Sequence, residues 1–355
     1  MPDWTDYPAD YRHAEVQSIL AAVRAGECVS VVGLSGAGKS NLAAFVARRA
    51  GPSRGLVLVD CNRLGSLTPD SFLQLTRRAL GSTSPAAAAE AADELAALEQ
   101  AIAQRLEAPP GRVCLVFDRF DGLPLETHHP LYGNLRALRD EFKYRLTYVL
   151  FTRRPLDAHS ELAELFYAHT LWLGPLSESD ARWAIDGYAY RQRSGGDWNA
   201  AVYAAILEIS GRYPSFLRAA CEALAAGCPP EAAALRGHPA VRRRVEEFWA
   251  GQPTPEDLRR SGLEGLPLLE HGLAGDELTA KESLLLKYLQ AHPHQVCEKD
   301  ELMRAVWPEV KVYDDGLQDD SLAQLVRRLR RKIEPDPSNP VHIFNVTGRG
   351  YRFTP

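Results

Sequence analysis

Through the first 175 residues the apolar positions come in short unbroken runs: "ECVSVVG" (27–33), "GLVLVD" (55–60), "RVCLVFD" (112–118), "LTYVLFT" (146–152) and "TLWLG" (170–174). A strand buried on both faces needs a run of this kind. Each run is followed by a stretch of helical periodicity, so the pattern predicts a parallel sheet covered by helices. The alanine-rich "SPAAAAEAADELAALEQAIAQRL" (84–106) reads as one amphipathic helix, with Pro85 at its start and Pro109-Pro110 stopping it. From Ser177 to Trp249 the pattern is all-helical. "GQPTPEDL" (251–258), with two prolines and little to bury, then reads as a linker.

The last hundred residues are organised differently. "LTAKESLLLKYLQAHP" (278–293) predicts a helix with a Thr279/Glu282 capping box and a proline stop, and "EKDELMRAVWP" (298–308) predicts a second, short one. A third helix follows in "DDSLAQLVRRLRRKI" (319–333). At about 100° per residue, Leu322, Leu325, Val326, Leu329 and Ile333 share one face. Gln324, Arg327, Arg328 and Arg331 take the opposite face, with Arg330 and Lys332 at its flanks. "VHIFNVTGRGYRFT" (341–354) alternates as two strands around a glycine-rich tight turn. Three helices and a hairpin in that order make a winged helix-turn-helix.

Composition adds limits rather than identity. A chain of 355 residues has room for two or three domains, and 45% apolar with 25% charged residues is an ordinary globular balance. No run of 18 apolar residues occurs and the N-terminus has no basic, apolar leader pattern. The expectation is a cytoplasmic protein with no membrane association. Six cysteines are scattered without a C-x-x-C pair, which fits a reducing compartment. His128-His129 and the pair His292 and His294 have no companion ligands at metal-site spacing. With a net charge of −5, any nucleic-acid binding has to come from a local patch. Residues 255–355 hold 14 basic and 17 acidic residues, a balance of −3, so the Arg327–Lys332 run stands out against an acidic background. Part of that background is the loop "VKVYDDGLQDD" (310–320), where Asp319 or Asp320 is placed to cap the third helix.

One motif carries chemistry directly. "GLSGAGKS" (33–40) matches G-x-x-x-x-G-K-[ST], with the β-branched strand Val29 to Val32 entering it and "NLAAFVARRA" leaving it as a helix from Asn41. Gly33, Gly36 and Gly38 let successive N–H groups face a phosphate, Lys39 supplies charge to the β/γ-phosphates, and the Ser40 hydroxyl suits Mg²⁺. No N-K-x-D guanine-reading element follows, which favours ATP/ADP over GTP.

The run of further motifs resembles the P-loop ATPases in which a strand is inserted between the Walker A and Walker B strands. The extra strand "GLVLVD" carries that resemblance, which makes "RVCLVFDRFD" (112–121) the Walker B strand and Asp118 a magnesium and catalytic residue. In many relatives a water-polarising glutamate follows that aspartate. Here Arg119 follows, leaving Asp121 as the base or implying slow hydrolysis with the nucleotide as a switch. "VLFTRRP" (149–155) resembles a sensor-1 strand, which implies roles near the γ-phosphate for Thr152 and Arg153, with Arg154 as a finger toward a neighbouring subunit.

"LGPLSESDARWAI" (173–185) and "SGRYPSFLRAACEAL" (210–224) resemble lid elements of STAND and origin-recognition-type ATPases of the AAA+ kind. The resemblance spans roughly residues 7 to 250. It implies that Pro214 packs on adenine, that Arg218 or Arg212 reports on the phosphates, and that Tyr11 and Arg12 in "DYRHAEVQSIL" (10–20) frame the base.

The C-terminal segments, with "VTGRGYRF", are similar to the OmpR/PhoB-type winged-helix DNA-binding domain over about residues 258–355. That likeness implies a third helix in the major groove of double-stranded DNA, read by Gln324, Arg327, Arg328 and Arg331. It also puts Arg349 at the wing tip and Tyr351 and Phe353 in the wing core.

The expected architecture is therefore an α/β P-loop NTPase core (1–175) with a parallel sheet, a helical lid (176–250), a linker (251–257) and a winged-helix domain (258–355). The expected function is nucleotide-switched DNA binding in transcription, with self-association and slow ATP hydrolysis as accompaniments. The alternatives are an origin-recognition-like DNA-remodelling loader, and a STAND-type signalling or defence ATPase whose winged helix is an interaction module.

Overall fold

The structure, a computed structural model, describes the chain apart from residues 1–6, 51–54, 82–92, 123–124, 193–197, 252, 271–277, 308–314, 335–336, 338, 341 and 355. Side chains are further undescribed at 49–50, 122, 125–129, 192, 255, 270, 280 and 315–320. The chain divides into two compact units, Met1–Leu266 and Pro267–Pro355.

In the first unit, α1 (His13–Ala25) leads into β1 (Val29–Val32), the glycine-rich loop and α2 (Lys39–Phe45). β2 (Leu56–Asp60), α3 (Pro69–Ala79), α4 (Glu94–Glu107), β3 (Val113–Asp118), α5 (Leu125–Phe142), β4 (Leu146–Thr152) and β5 (Thr170–Trp172) complete the α/β part. The five strands run parallel in the order β2-β3-β4-β1-β5. Strands β1, β3 and β4 are buried along their whole length, as their unbroken apolar runs require.

The register brings the carboxyl ends level. Val32 pairs with Thr152 and Trp172, and Asp60 pairs with Asp118. The loops that follow these strands therefore open at one edge of the sheet, where α/β proteins bind ligands. A strand does separate the Walker A strand β1 from the Walker B strand β3, but it is β4. The strand lying between them in sequence, β2, is at the sheet's edge.

The alanine-rich segment departs from expectation. The alanine-rich helix is described only from Glu94, and Asp93 is its own N-cap, in an extended conformation with its carboxylate accepting the Ala96 N–H. The expected start at Pro85 lies outside the described residues. Its Leu98, Ile102 and Leu106 enter the core with Phe72, Phe117 and Leu150.

Next come α6 (Glu178–Gln192), α7 (Ala200–Ser210), α8 (Pro214–Ala225), α9 (Ala232–Gly237) and α10 (Pro239–Ala250), which form the helical lid. The segment expected as a linker is folded. Thr254 and Asp257 make a capping box that starts α11 (Pro255–Arg260), and Ser261 and Leu263 beyond it are buried. Arg260 lies over the Trp172 ring of edge strand β5 at 5.5 Å. The capping box and the buried residues just beyond it, rather than the prolines, decide the fate of the segment.

The second unit contains α12 (Pro267–Glu270), α13 (Ala280–Ala291), β6 (Val296–Glu298), α14 (Lys299–Val306), α15 (Asp315–Ile333), β7 (Ile343–Val346) and β8 (Gly350–Phe353). Helices, then hairpin, is the winged helix expected, and the Thr279/Glu282 capping box is present. Leu322, Leu325, Val326 and Leu329 are buried with Leu285, Leu302, Ile343, Tyr351 and Phe353, so the apolar face of the third helix and the wing core are as the periodicity requires.

Strand β6 was not visible in the pattern, being only three residues, "VCE". It pairs antiparallel with β8 and completes the sheet β6-β8-β7. It also explains Gly350, where a Cβ would lie 2.0 Å from the Cys297 carbonyl oxygen. α15 begins at Asp315, so Asp319 and Asp320 are interior helix positions and not caps.

Candidate functional site

The glycine-rich loop crosses the sheet's carboxyl edge beside a cavity of about 680 Å³ in the first unit. Residues 35 to 41, Lys39, Ser40 and Asn41 among them, form one wall, with Gly36 and Gly38 in the left-handed region at φ 84° and 85°. Gly33 is not part of the wall; its carbonyl accepts a hydrogen bond from Lys39 Nζ, which also donates to the Leu34 carbonyl at 3.2 Å. The ammonium is thus folded back on its own loop. Burial lowers its pKa to about 8, with Asp121 and Asp118 opposing that and Arg153 and Arg119 adding to it.

Asp118 ends β3 and is buried beneath this loop. Burial raises its pKa, the hydrogen bond from Ser40 lowers it, and Asp60 next to it raises it again. Its Oδ1 has no hydrogen-bond partner among the described residues, and neither does the buried Oγ1 of Thr152 at the end of β4. Buried polar oxygens without partners cost stability unless something else satisfies them. A hydroxyl beside an orphaned carboxylate oxygen is an all-oxygen donor set of the kind hard divalent cations take. Among the described residues no three His, Cys, Asp or Glu side chains gather as a metal site. His292 instead bonds and stacks on Tyr288, the N–H of His294 is held by the Phe353 carbonyl, and the His128-His129 side chains lie outside the described residues.

Opposite the loop, the cavity is lined by Arg119, Asp121 and Arg153 from the strand ends, and by Pro214, Arg218 and Arg244 from the lid. Asp121 accepts the Arg153 backbone N–H at 2.6 Å, and Arg153 Nε lies 3.6 Å from the same oxygen. Five cationic side chains therefore face this space, and Asp121 is the one carboxylate in the wall among the described residues. The electrostatics select a multiply charged anion.

The lid sits directly on the loop. Tyr213 donates its hydroxyl to the Ser35 carbonyl at 3.0 Å, and the Ser215 N–H donates to the Gly36 carbonyl at 3.2 Å. A Cβ at Gly36 would lie 2.1 Å from Ser215 Oγ, so the lid's approach as well as the positive φ requires glycine there. Pro214 occupies the first turn of α8, which points its amino end at the same cavity.

Three expected positions fall elsewhere. Tyr11 and Arg12 do not line the cavity. Tyr11 packs edge-on against Phe45 at 5.3 Å, in a cluster with Tyr7 and Trp183. Arg12 is buried and joins elements: its guanidinium donates to the Ala37 and Gly174 carbonyls and pairs with Glu15, while its N–H donates to Asp180 of the lid. Arg212 is also outside the wall; its carbonyl accepts the Leu176 N–H.

Arg244 is a wall residue not among the expected positions. Its signal is helical spacing, because it falls in line with the buried Val241 and Phe248 on α10 and so breaks an apolar stripe with a charge.

In the second unit the basic run of α15 divides by role. Arg330 donates to the Ile343 carbonyl at 2.8 and 3.1 Å, and Lys332 pairs with the buried Glu282 at 2.5 Å. With Glu334, whose carboxylate accepts the Ile343 N–H at 2.6 Å, they tie the helix end to the hairpin and to α13. Gln324, Arg327 and Arg331 are exposed, and Arg328 is half-buried with an unpartnered Nε. Burial and the neighbouring Arg327 lower the pKa of Arg331, and neither arginine has a carboxylate partner among the described residues. Arg349 is exposed on the turn between β7 and β8, 3.6 Å from the exposed Glu298.

Fold and site together define a P-loop domain with a helical lid and, separately, a winged-helix unit. Comparison with known proteins gives the same two classes. Residues 23–158 match the AAA domain family, and residues 276–353 match the family described as transcriptional regulatory protein, C terminal. Transcriptional regulatory protein YvrH of Bacillus subtilis is 40% identical over 86 residues, covering 23% of this chain and 35% of that protein. The alkaline phosphatase synthesis transcriptional regulatory protein SphR of Synechococcus elongatus is 36% identical over 103 residues, covering 28% and 38%. The chain thus spans little more than a third of the length of these curated relatives. The Cdc6p crystal structure from Pyrobaculum aerophilum is similar at 14% identity and a TM-score of 0.47, over 93% of this chain and 90% of that one.

Proposed function

We propose that the chain is an ATP-responsive DNA-binding regulator of transcription in the cytoplasm. The first unit binds ATP with Mg²⁺, and the second binds double-stranded DNA. The observation that carries this reading is the clamp of the lid on the phosphate loop, Tyr213 to Ser35 and Ser215 to Gly36, over a cavity walled by five cations. A bound triphosphate has to compete with Lys39's bonds to its own loop and to enter beside this clamp. Nucleotide occupancy is therefore linked to lid position, and a ligand shifts whichever arrangement it binds better.

Lys39, Arg153 and Arg218 hold phosphate charge, and Ser40 and Asp118 hold the magnesium ion, which neutralises phosphate charge when bound. Pro214 meets the nucleoside. On α15, Arg327 and Arg331 with Gln324 contact base edges and phosphates in the major groove, and Arg349 contacts the backbone from the wing. Self-association of nucleotide-bound chains would hold two such weak readers together and raise their joint affinity.

The test is retention of DNA by the full chain with ATP, ADP and no nucleotide, using wild type and Lys39→Ala. A regulator shows nucleotide-dependent retention lost in the variant. ATP turnover strongly stimulated by DNA would instead mark a remodelling motor.

A further inference from the structure

Among the described residues Arg119 is one of few with a side chain whose backbone is left-handed, at φ 58°. L-residues rarely adopt that conformation, and it persists where the surroundings hold it, commonly at functional sites. Here the surroundings are explicit. Asp118 before it is buried at the end of β3. Phe120 after it is fully buried, stacked on Tyr132 at 5.7 Å and packed on Phe72 and Phe117. Asp121 is then fastened to Arg153. With the chain pinned on both sides, the left-handed turn delivers Arg119 to the cavity wall, beside Lys39. It forms no ion pair among the described residues, so its charge is available to a ligand.

The same turn decides what the cavity lacks. Activating a water for attack on a phosphate needs a group to orient it or accept its proton. Asp121 is the one carboxylate in the wall among the described residues, and its Oδ2 is committed to Arg153. The residue beside Asp118 is a cation. That favours holding a third phosphate over cleaving it.

We propose that Arg119 is a specificity-determining residue that binds the terminal phosphate of a nucleoside triphosphate, so that the site tells ATP from ADP by charge rather than by turnover. The proposal rests on the nucleotide reading above.

The test is equilibrium binding of Mg·ATP and Mg·ADP to the full chain. Arg119→Asn removes the charge while suiting the left-handed backbone, and Arg119→Lys retains the charge. Wild type is expected to prefer ATP. Arg119→Asn is expected to weaken ATP by roughly ten- to a hundred-fold, the range of a charge-assisted hydrogen bond, and to leave ADP within about two-fold. Arg119→Lys should keep most of the preference. Equal weakening of both nucleotides, or of neither, by Arg119→Asn overturns the proposal while leaving the nucleotide site standing. Wild type that binds neither nucleotide overturns both.

Discussion

The Asp121 carboxylate accepts the Arg153 backbone N–H at 2.6 Å, fastening the turn after the Walker B strand to the end of the neighbouring strand. The bond places Asp121 as a brace for that turn. Asp121→Asn keeps the acceptor oxygen and loses the charge. Any basal phosphate release by the full chain should therefore stay within about two-fold, where loss of a general base typically costs a hundred-fold or more. Asp121→Ala, which removes the acceptor, should weaken ATP binding as well. Phosphate release and titration calorimetry on both variants check this.

Lys39 links binding to pH. Its pKa in the folded protein is lowered to about 8 from an ordinary value of 10.5. Between these values the unfolded chain holds the extra proton, so the stability cost of burying the ammonium is full below about pH 8 and is relieved as pH rises above it. A phosphate beside Lys39 raises its pKa again. Nucleotide binding should then take up a proton above about pH 8, and affinity should fall as pH climbs. Calorimetry in buffers of different ionisation enthalpy measures the uptake, and Lys39→Arg, which stays charged, should abolish it.

The basic run of α15 should separate by consequence. Arg327→Ala or Arg331→Ala should weaken DNA binding and reduce the dependence of log affinity on log salt by about one each, with thermal stability unchanged. Lys332→Met leaves the buried Glu282 carboxylate with the Thr279 N–H but without its cation, and should destabilise the second unit by about 3 kcal/mol. Salt-series anisotropy and thermal unfolding of the full chain distinguish the two classes.

Gly350→Ala puts a methyl group 2.0 Å from the Cys297 carbonyl and should force β6 and β8 apart. The expected loss is on the order of 3 kcal/mol, as for other overpacked positions. At the exposed Gly348, where φ is 74° and a Cβ meets nothing, the loss to alanine should be about 1 kcal/mol.

What could be read in the sequence was local. The phosphate loop, its flanking strand and helix, and the split of α15 into apolar and polar faces all follow from spacing within a few residues. What required the structure was direction in space. β2 and β4 exchange the places that sequence order suggests, because a crossover decides adjacency. Arg12 lies near the loop in space, yet its guanidinium turns to the Ala37 and Gly174 carbonyls rather than to the cavity. Arg330 and Lys332 differ from Arg327 and Arg331 only by rotation about the helix, and that rotation sets two to bracing and two to solvent. "GQPTPEDL" looked like a linker because the burial that anchors its short helix comes from Ser261 and Leu263, just beyond it.

Occupancy of the phosphate cavity is expected to govern use of the winged helix. Selection of bound genomic fragments by the full chain under ATP, ADP and no nucleotide, for wild type and Lys39→Ala, measures this directly. The wild-type fragment set or yield should change with nucleotide, and Lys39→Ala should behave as the nucleotide-free protein throughout. Identical selection in all three conditions and in the variant would mean that the two sites are uncoupled.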